Sequence, residues 1–155
     1  MRIIADDLSG VEIRALLELH FASMLANSPK GSCHFLDFDG LNGDDVTFWS
    51  IWDDSQNEPK LAGCGALKEI APHHGEVKSM RTHPDYLRRG ASQAMLSHIF
   101  IEAQRRGYER LSLETGSGEA FEPAIQLYQK NGFIFCPPFA QYVDDPFSRF
   151  MSKKI

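Results

Sequence analysis

Between Glu76 and Thr115 the chain changes its hydrophobic period twice, and that change restricts it to few folds. Glu76–Thr82 reads as a strand that follows the breaker Pro72. From about Gly90 to Arg106, Ser92, Met95, Leu96, Ile99, Phe100 and Ala103 fall at i, i+3, i+4, i+7, i+8 and i+11, one face of a long helix. Gly107 is suited to end that helix in the left-handed conformation, and Arg110–Thr115 reads as the next strand. A strand, a helix and a strand in direct succession need a crossover, which implies parallel pairing. A second passage follows in Phe121–Lys130, a helix stopped by Asn131-Gly132, and the strands Phe133–Cys136 and Ser148–Lys153 flank the loop Pro137–Pro146.

The first half has a different rhythm. After a short strand at Arg2–Ala5, Ile13, Leu16, Leu17 and Phe21 mark a helix from about Ser9 to Ala26. Ser9 and Glu12 have capping-box spacing. Pro29-Lys30-Gly31 breaks the chain, and Cys33–Leu41 is either a short helix or a loop. Thr47–Trp52 and Leu61–Leu67 read as strands of an antiparallel meander that Glu76–Thr82 completes. The expected fold class is therefore α/β (α+β): a mixed central sheet of about six to seven strands with helices on both faces.

Bulk properties exclude several functions. A chain of 155 residues, 43% hydrophobic and 24% charged, fits one compact domain over residues 1–155. A net charge of −5 opposes a phosphate-neutralising nucleic-acid surface. No apolar run approaches the roughly 18 residues of a membrane helix. Cys33, Cys64 and Cys136 lie far apart, which suits reduced thiols in a cytoplasmic protein. Cys64 with His73 and His74 is the only near grouping of metal-binding residue types, and its irregular spacing predicts no metal.

The segment Met80–Leu96 carries the clearest chemistry. A strand ends at Thr82, Pro84 blocks its continuation, and Leu87-Arg88-Arg89-Gly90-Ala91-Ser92-Gln93 delivers the chain into the long helix. Unpaired amides and the positive end of a helix dipole converge at such a junction. Gly90, Ala91 and Ser92 admit close approach, Arg88 and Arg89 add charge, and a pyrophosphate is the natural guest. A solvated turn would have the same composition.

This stretch resembles the signature of the GNAT (GCN5-related N-acetyltransferase) superfamily, a Gln/Arg-x-x-Gly-x-Gly/Ala loop between a strand and a helix. Leu87 departs from it, Ser92 takes the second small position, and Arg88, Arg89 and Gly90 agree with common variants. Ala124-Ile125-Gln126-Leu127-Tyr128 through Gly132-Phe133 is similar to the family's second signature, in the expected order. The resemblance implies acetyl-CoA as co-substrate, no metal, and direct transfer to an amine in a cleft between the strands of Glu76–Thr82 and Arg110–Thr115. It places the Met80 amide on the thioester carbonyl and the main chain of Arg81 and Thr82 on the pantetheine arm. Tyr128 takes the position of the acid that protonates the CoA thiolate; as residues alone, it could equally be a packed helix-face aromatic. Glu76 and Glu114 are the candidate bases or surface ion-pair partners, and Ser117 is a candidate ligand contact. Phe121 stands where the family often has Asn.

The acceptor site implied by the resemblance lies in Ser28–Leu41 and Pro137–Pro146, where His34, Asp37, Asp39, Phe139, Tyr142, Asp144 and Asp145 would suit a cationic amine. Acyl-chain length would depend on space near Gly63-Cys64-Gly65. No nucleic-acid or membrane partner is expected, and a homodimer is left open. The rival readings are a non-catalytic acyl-CoA sensor and a transferase using another acyl donor or a hydroxyl acceptor.

Overall fold

The computed structural model describes residues 1–155. Its elements are β1 (Arg2–Ala5), α1 (Val11–Asn27), α2 (Phe38–Leu41), β2 (Val46–Asp53), β3 (Lys60–Ala71), β4 (His74–Thr82), α3 (Ala91–Arg105), β5 (Arg110–Thr115), α4 (Glu122–Lys130), β6 (Ile134–Phe135) and β7 (Arg149–Lys154). They form one seven-stranded mixed sheet in the order β1-β2-β3-β4-β5-β7-β6. Pairing is antiparallel except between β4 and β5.

The crossover through α3 therefore gives the expected parallel pair, whereas the passage through α4 does not. β7 inserts between β5 and β6 and pairs antiparallel with both. Its Phe150 and Met151 are buried, so burying this strand centrally removes more apolar surface than burying the two-residue β6. β6 remains a short edge, the usual way to blunt an open sheet.

Helices cover both faces. Met95, Leu96, Ile99 and Ala103 of α3 join Tyr128 of α4 in the larger core, over Ile51, Val77, Leu111 and Leu113 of the sheet. Ile13, Leu16 and Leu17 of α1 and Leu41 of α2 meet Phe48, Leu61, Cys64 and Ala66 on the opposite face. α1 starts later than its periodicity suggests: Gly10 is the N-cap, and Ser9 Oγ donates to Asp7 Oδ1 (2.6 Å) instead of completing a capping box. In the Cys33–Leu41 stretch only Phe38–Leu41 is helical, capped by Asp37, whose carboxylate accepts from the Gly40 amide (2.9 Å). β3 runs on to Ala71, and Pro72-His73 forms the tight connection to β4.

Candidate active site

Two irregularities in β4 create the site. The first is a bulge. Lys78 faces Ala66 and Arg81 faces Cys64, so two residues of β4, Ser79 and Met80, oppose the single Gly65. Ser79 takes φ +55, the left-handed region, as a bulged residue can. Strict alternation would place Met80 on the face of Glu76 and Lys78. The bulge resets the count. Lys78 and Arg81 share the α1 face with Ala66 and Cys64, while Val77, Met80 and Thr82 turn toward α3.

The second irregularity is a splay. β4 and β5 pair only at His74–Arg110, Gly75–Leu111 and Glu76–Ser112. Beyond that point β5 stays paired with β7, while the far half of β4 diverges and opens a cleft.

On the α3 side, a chamber of about 560 Å³ is bounded by Met80, Arg81, Thr82, Arg88 and the first turn of α3, Ala91–Gln93. Arg88 (φ +61) and Gly90 (φ +85) both adopt left-handed backbone, bending the chain so that the free amides of that turn face the chamber. The hydroxyls of Thr82 and Ser92 bond to each other and tie the end of β4 to the start of α3. Gln93 and Asn131 exchange side-chain hydrogen bonds (2.8 and 2.9 Å), so Gln93 can offer a ligand only its main chain.

Two residues expected to touch the ligand do not line this chamber. The Arg89 guanidinium lies over the Tyr86 ring (5.2 Å), outside the chamber wall, because the ring offers it an apolar platform. Ser117 lines neither side of the cleft. Phe121 is buried edge-on against Phe147 (5.5 Å), a packing role in place of a polar contact.

On the α1 side lies a tighter cavity of about 160 Å³, whose walls include His20, Lys78, Arg81, Glu114 and Tyr128. His34, Phe35 and Lys78 connect it to an outer groove of about 620 Å³. Tyr128, together with Met80, Arg81 and Ala124, borders both the cavity and the α3-side chamber. Burial pushes its phenol well above the usual tyrosine range, so it holds its proton at neutral pH.

The two candidate bases differ. Glu76 is buried at the closed end of the splay, where it pairs with Lys78 Nζ (3.2 Å) and accepts from Tyr142 Oη (2.5 Å). Lys78 donates in turn to Tyr142 Oη (2.9 Å). Glu114 faces the cavity without an ion pair, and its pKa is raised to about 7. Burial is the main cause; Lys78 and Ser148 oppose it, and the charges of Glu76 and Asp145 add to it.

Sequence reasoning missed His20, which is 7% exposed, lines the cavity and leaves Nδ1 without a partner. Burial, then the nearby Arg81, lower its pKa to about 4, so it is neutral. Its only signal in the sequence is a polar residue continuing the stripe of Ile13, Leu16 and Leu17. His73, His74 and His83 lie outside the cleft; His74 bonds Ser112 Oγ (2.6 Å), and His83 accepts from the Asp85 amide (3.2 Å).

Of the acidic residues in the two outer loops, Asp37 caps α2, and Asp145 accepts from the Phe147 and Ser148 amides (2.8 and 2.7 Å). The Cys64 thiol is buried, pushed up to about 12, and donates to the Ser79 carbonyl (3.3 Å), which rules it out as a nucleophile at neutral pH. No group of three or more His, Cys, Asp or Glu residues is arranged to hold a metal, and no helix is long and apolar enough to cross a membrane.

A mixed sheet split beside a helix N-terminus defines an acyltransferase architecture. Residues 13–133 match the Acetyltransferase (GNAT) family, and the chain belongs to that family as an N-acetyltransferase. It is 51% identical to the N-acetyltransferase YsnE of Bacillus subtilis strain 168 over 155 residues, all of both chains. It is 50% identical over 147 residues to the N-acetyltransferase YedL of Escherichia coli K12, covering 95% of this chain and 90% of that one. Its fold superimposes on a Bacillus subtilis acetyltransferase in complex with CoA at a TM-score of 0.70 and 15% identity, over 99% and 98% of the two chains.

Proposed function

We propose that the protein, acting as a single domain over residues 1–155, transfers the acetyl group of acetyl-CoA directly to the amine of a small molecule or peptide. The observation that carries this is the position of Tyr128, a protonated phenol bordering both the amide-lined chamber and the cavity of Glu114. The pyrophosphate is held by the amides of Gly90–Gln93 with Arg88 nearby, and the pantetheine arm runs along the unpaired edge of β4 beside Arg81 and Thr82. The Bacillus subtilis neighbour in complex with CoA supports a CoA thioester as the donor.

The Met80 amide, at the bulge, polarises the thioester carbonyl; such a donor contributes about 3 kcal/mol. Glu114 takes a proton from the incoming ammonium, and the freed nitrogen attacks the carbonyl carbon. The tetrahedral intermediate collapses with cleavage of the C–S bond, and Tyr128 delivers a proton to the departing sulfur. Tyr128 is reprotonated as the nitrogen loses its second proton, so the products are the amide, free CoA and one proton. Glu76 orients Lys78 and Tyr142 and leaves the base role to Glu114.

The donor is a short acyl group. A side chain at Gly65 would meet Met95 Cγ at 2.6 Å and Met80 Sδ at 2.9 Å, so methionines already fill the space beside that glycine. At Gly63 the Arg81 carbonyl stands 2.6 Å from the same position. Release of free CoA from acetyl-CoA over a panel of amines tests the reading. Tight acetyl-CoA binding with no release for any amine would leave the sensor alternative standing.

A further inference from the structure

The α1 side of the cleft holds a cation that has no counter-ion. We propose that the acceptor amine also carries a carboxylate, which the Arg81 guanidinium binds with His20 beside it. The proposal rests on the acetyl-transfer reading above and names the acceptor class for that same site.

Arg81 stands opposite Cys64 on the face covered by α1 and lines the inner cavity half-buried. It takes part in none of the ion pairs of the structure. A guanidinium carries five N–H donors in a planar fork, and one that has lost part of its water without gaining an acceptor is poised for a carboxylate or phosphate. The acids nearby do not meet that need. Glu76 serves Lys78 and Tyr142, Asp145 caps its own turn, and Glu114 lies beyond ion-pair distance.

Strand geometry decides between the two anions. Thr82, the next residue, points the other way, into the hydroxyl bond with Ser92 at the start of α3. Arg81 borders the donor chamber as well, but its side chain lies on the face of Cys64 and near His20, away from the amide cradle expected to hold the donor phosphates. What enters from the α1 side is the acceptor. His20 adds a neutral imidazole with an unpartnered nitrogen, sealed into the same wall one helical turn before Ser23 and Met24. A cavity of about 160 Å³ admits a carboxylate with a short stem.

The test compares L-amino acids with their carboxamides as acceptors. The wild type should favour the carboxylates, and Arg81→Gln should shrink that preference roughly 10- to 100-fold, chiefly through KM, with acetyl-CoA affinity unchanged. Arg81→Lys, which keeps the charge and loses the fork, should restore part of the preference. Equal use of carboxamides, or an equal loss for both classes in Arg81→Gln, would overturn the proposal. So would weaker acetyl-CoA binding, or an Arg81-dependent preference for succinyl-CoA, since either would assign the guanidinium to the donor.

Calorimetric titration of the CoA-saturated protein with N-acetyl amino acids and their amides separates the two readings. Carboxylate-selective binding without turnover would remove acetyl transfer and keep the anion site. Turnover of carboxylate-free amines alone would do the reverse, and binding of neither compound would remove the anion site.

Discussion

The two sides of the cleft are made of different material. The α3 side is mostly main chain: left-handed residues at Arg88 and Gly90 and a first helical turn of free amides, braced by the Thr82–Ser92 and Gln93–Asn131 contacts. The α1 side is side chains from four separated segments: His20 on α1, Lys78 and Arg81 on β4, Glu114 on β5 and Tyr142 before β7. Main-chain recognition depends on local conformation and tolerates changes such as Leu87. Side-chain recognition changes with every substitution. A shared donor and a variable acceptor would be served by that division.

The comparison can be broken hardest at the boundary between the sides. Tyr128→Phe should lower kcat by about 10²–10⁴ while leaving the acetyl-CoA Kd near the wild-type value. Stopped-flow detection of the free thiol checks this, and unchanged turnover would remove the acid role.

Glu114→Gln probes the α1 side and should cost about 10²-fold in kcat/KM for the amine. Because the carboxyl is raised to about 7 and must be ionised to act, wild-type kcat/KM should climb as pH rises through about 7. In the variant that inflection should disappear; a profile unchanged in shape would move the base elsewhere.

Gly90→Glu addresses the α3 side, with an expected rise in acetyl-CoA Kd of at least about tenfold, because negative charge at a helix N-terminus repels the pyrophosphate. Gly90→Ala isolates strain from charge: the new Cβ would meet open space, but φ +85 costs an alanine about 1–2 kcal/mol of stability. Asn131→Ala should have the smallest functional effect. Losing its bonds to Gln93 and to the Leu127 carbonyl (2.8 Å) should cost about 1–3 kcal/mol, seen as a Tm lower by roughly 5 °C, with kcat almost unchanged.

What could be read from the sequence follows the same division. The α3 side is contiguous, so the periods of Glu76–Thr82, Gly90–Arg106 and Arg110–Thr115 located it with its glycine and its helix start. The α1 side is assembled by tertiary contacts that leave no local pattern. His20 looks like an interruption of an apolar stripe until β4 is packed against it, and the acids at Asp37 and Asp145 look like ligands until their capping bonds are seen. Two features escape counting along the chain. Strict alternation misplaces Met80 because an extra residue at Ser79 has no sequence mark of its own, and pairing rules do not foresee β7 between β5 and β6.

That extra residue makes β4 a strand whose parity matters. Deletion of Ser79 would leave Met80 alone opposite Gly65, so Met80 and Thr82 would still face α3 and Arg81 would still face the acceptor side. Straightening the strand with Ser79 retained would instead exchange the faces from Met80 onward, turning Met80 and Thr82 toward the acceptor and Arg81 toward the phosphates. The bulge therefore decides which substrate each residue beyond it addresses.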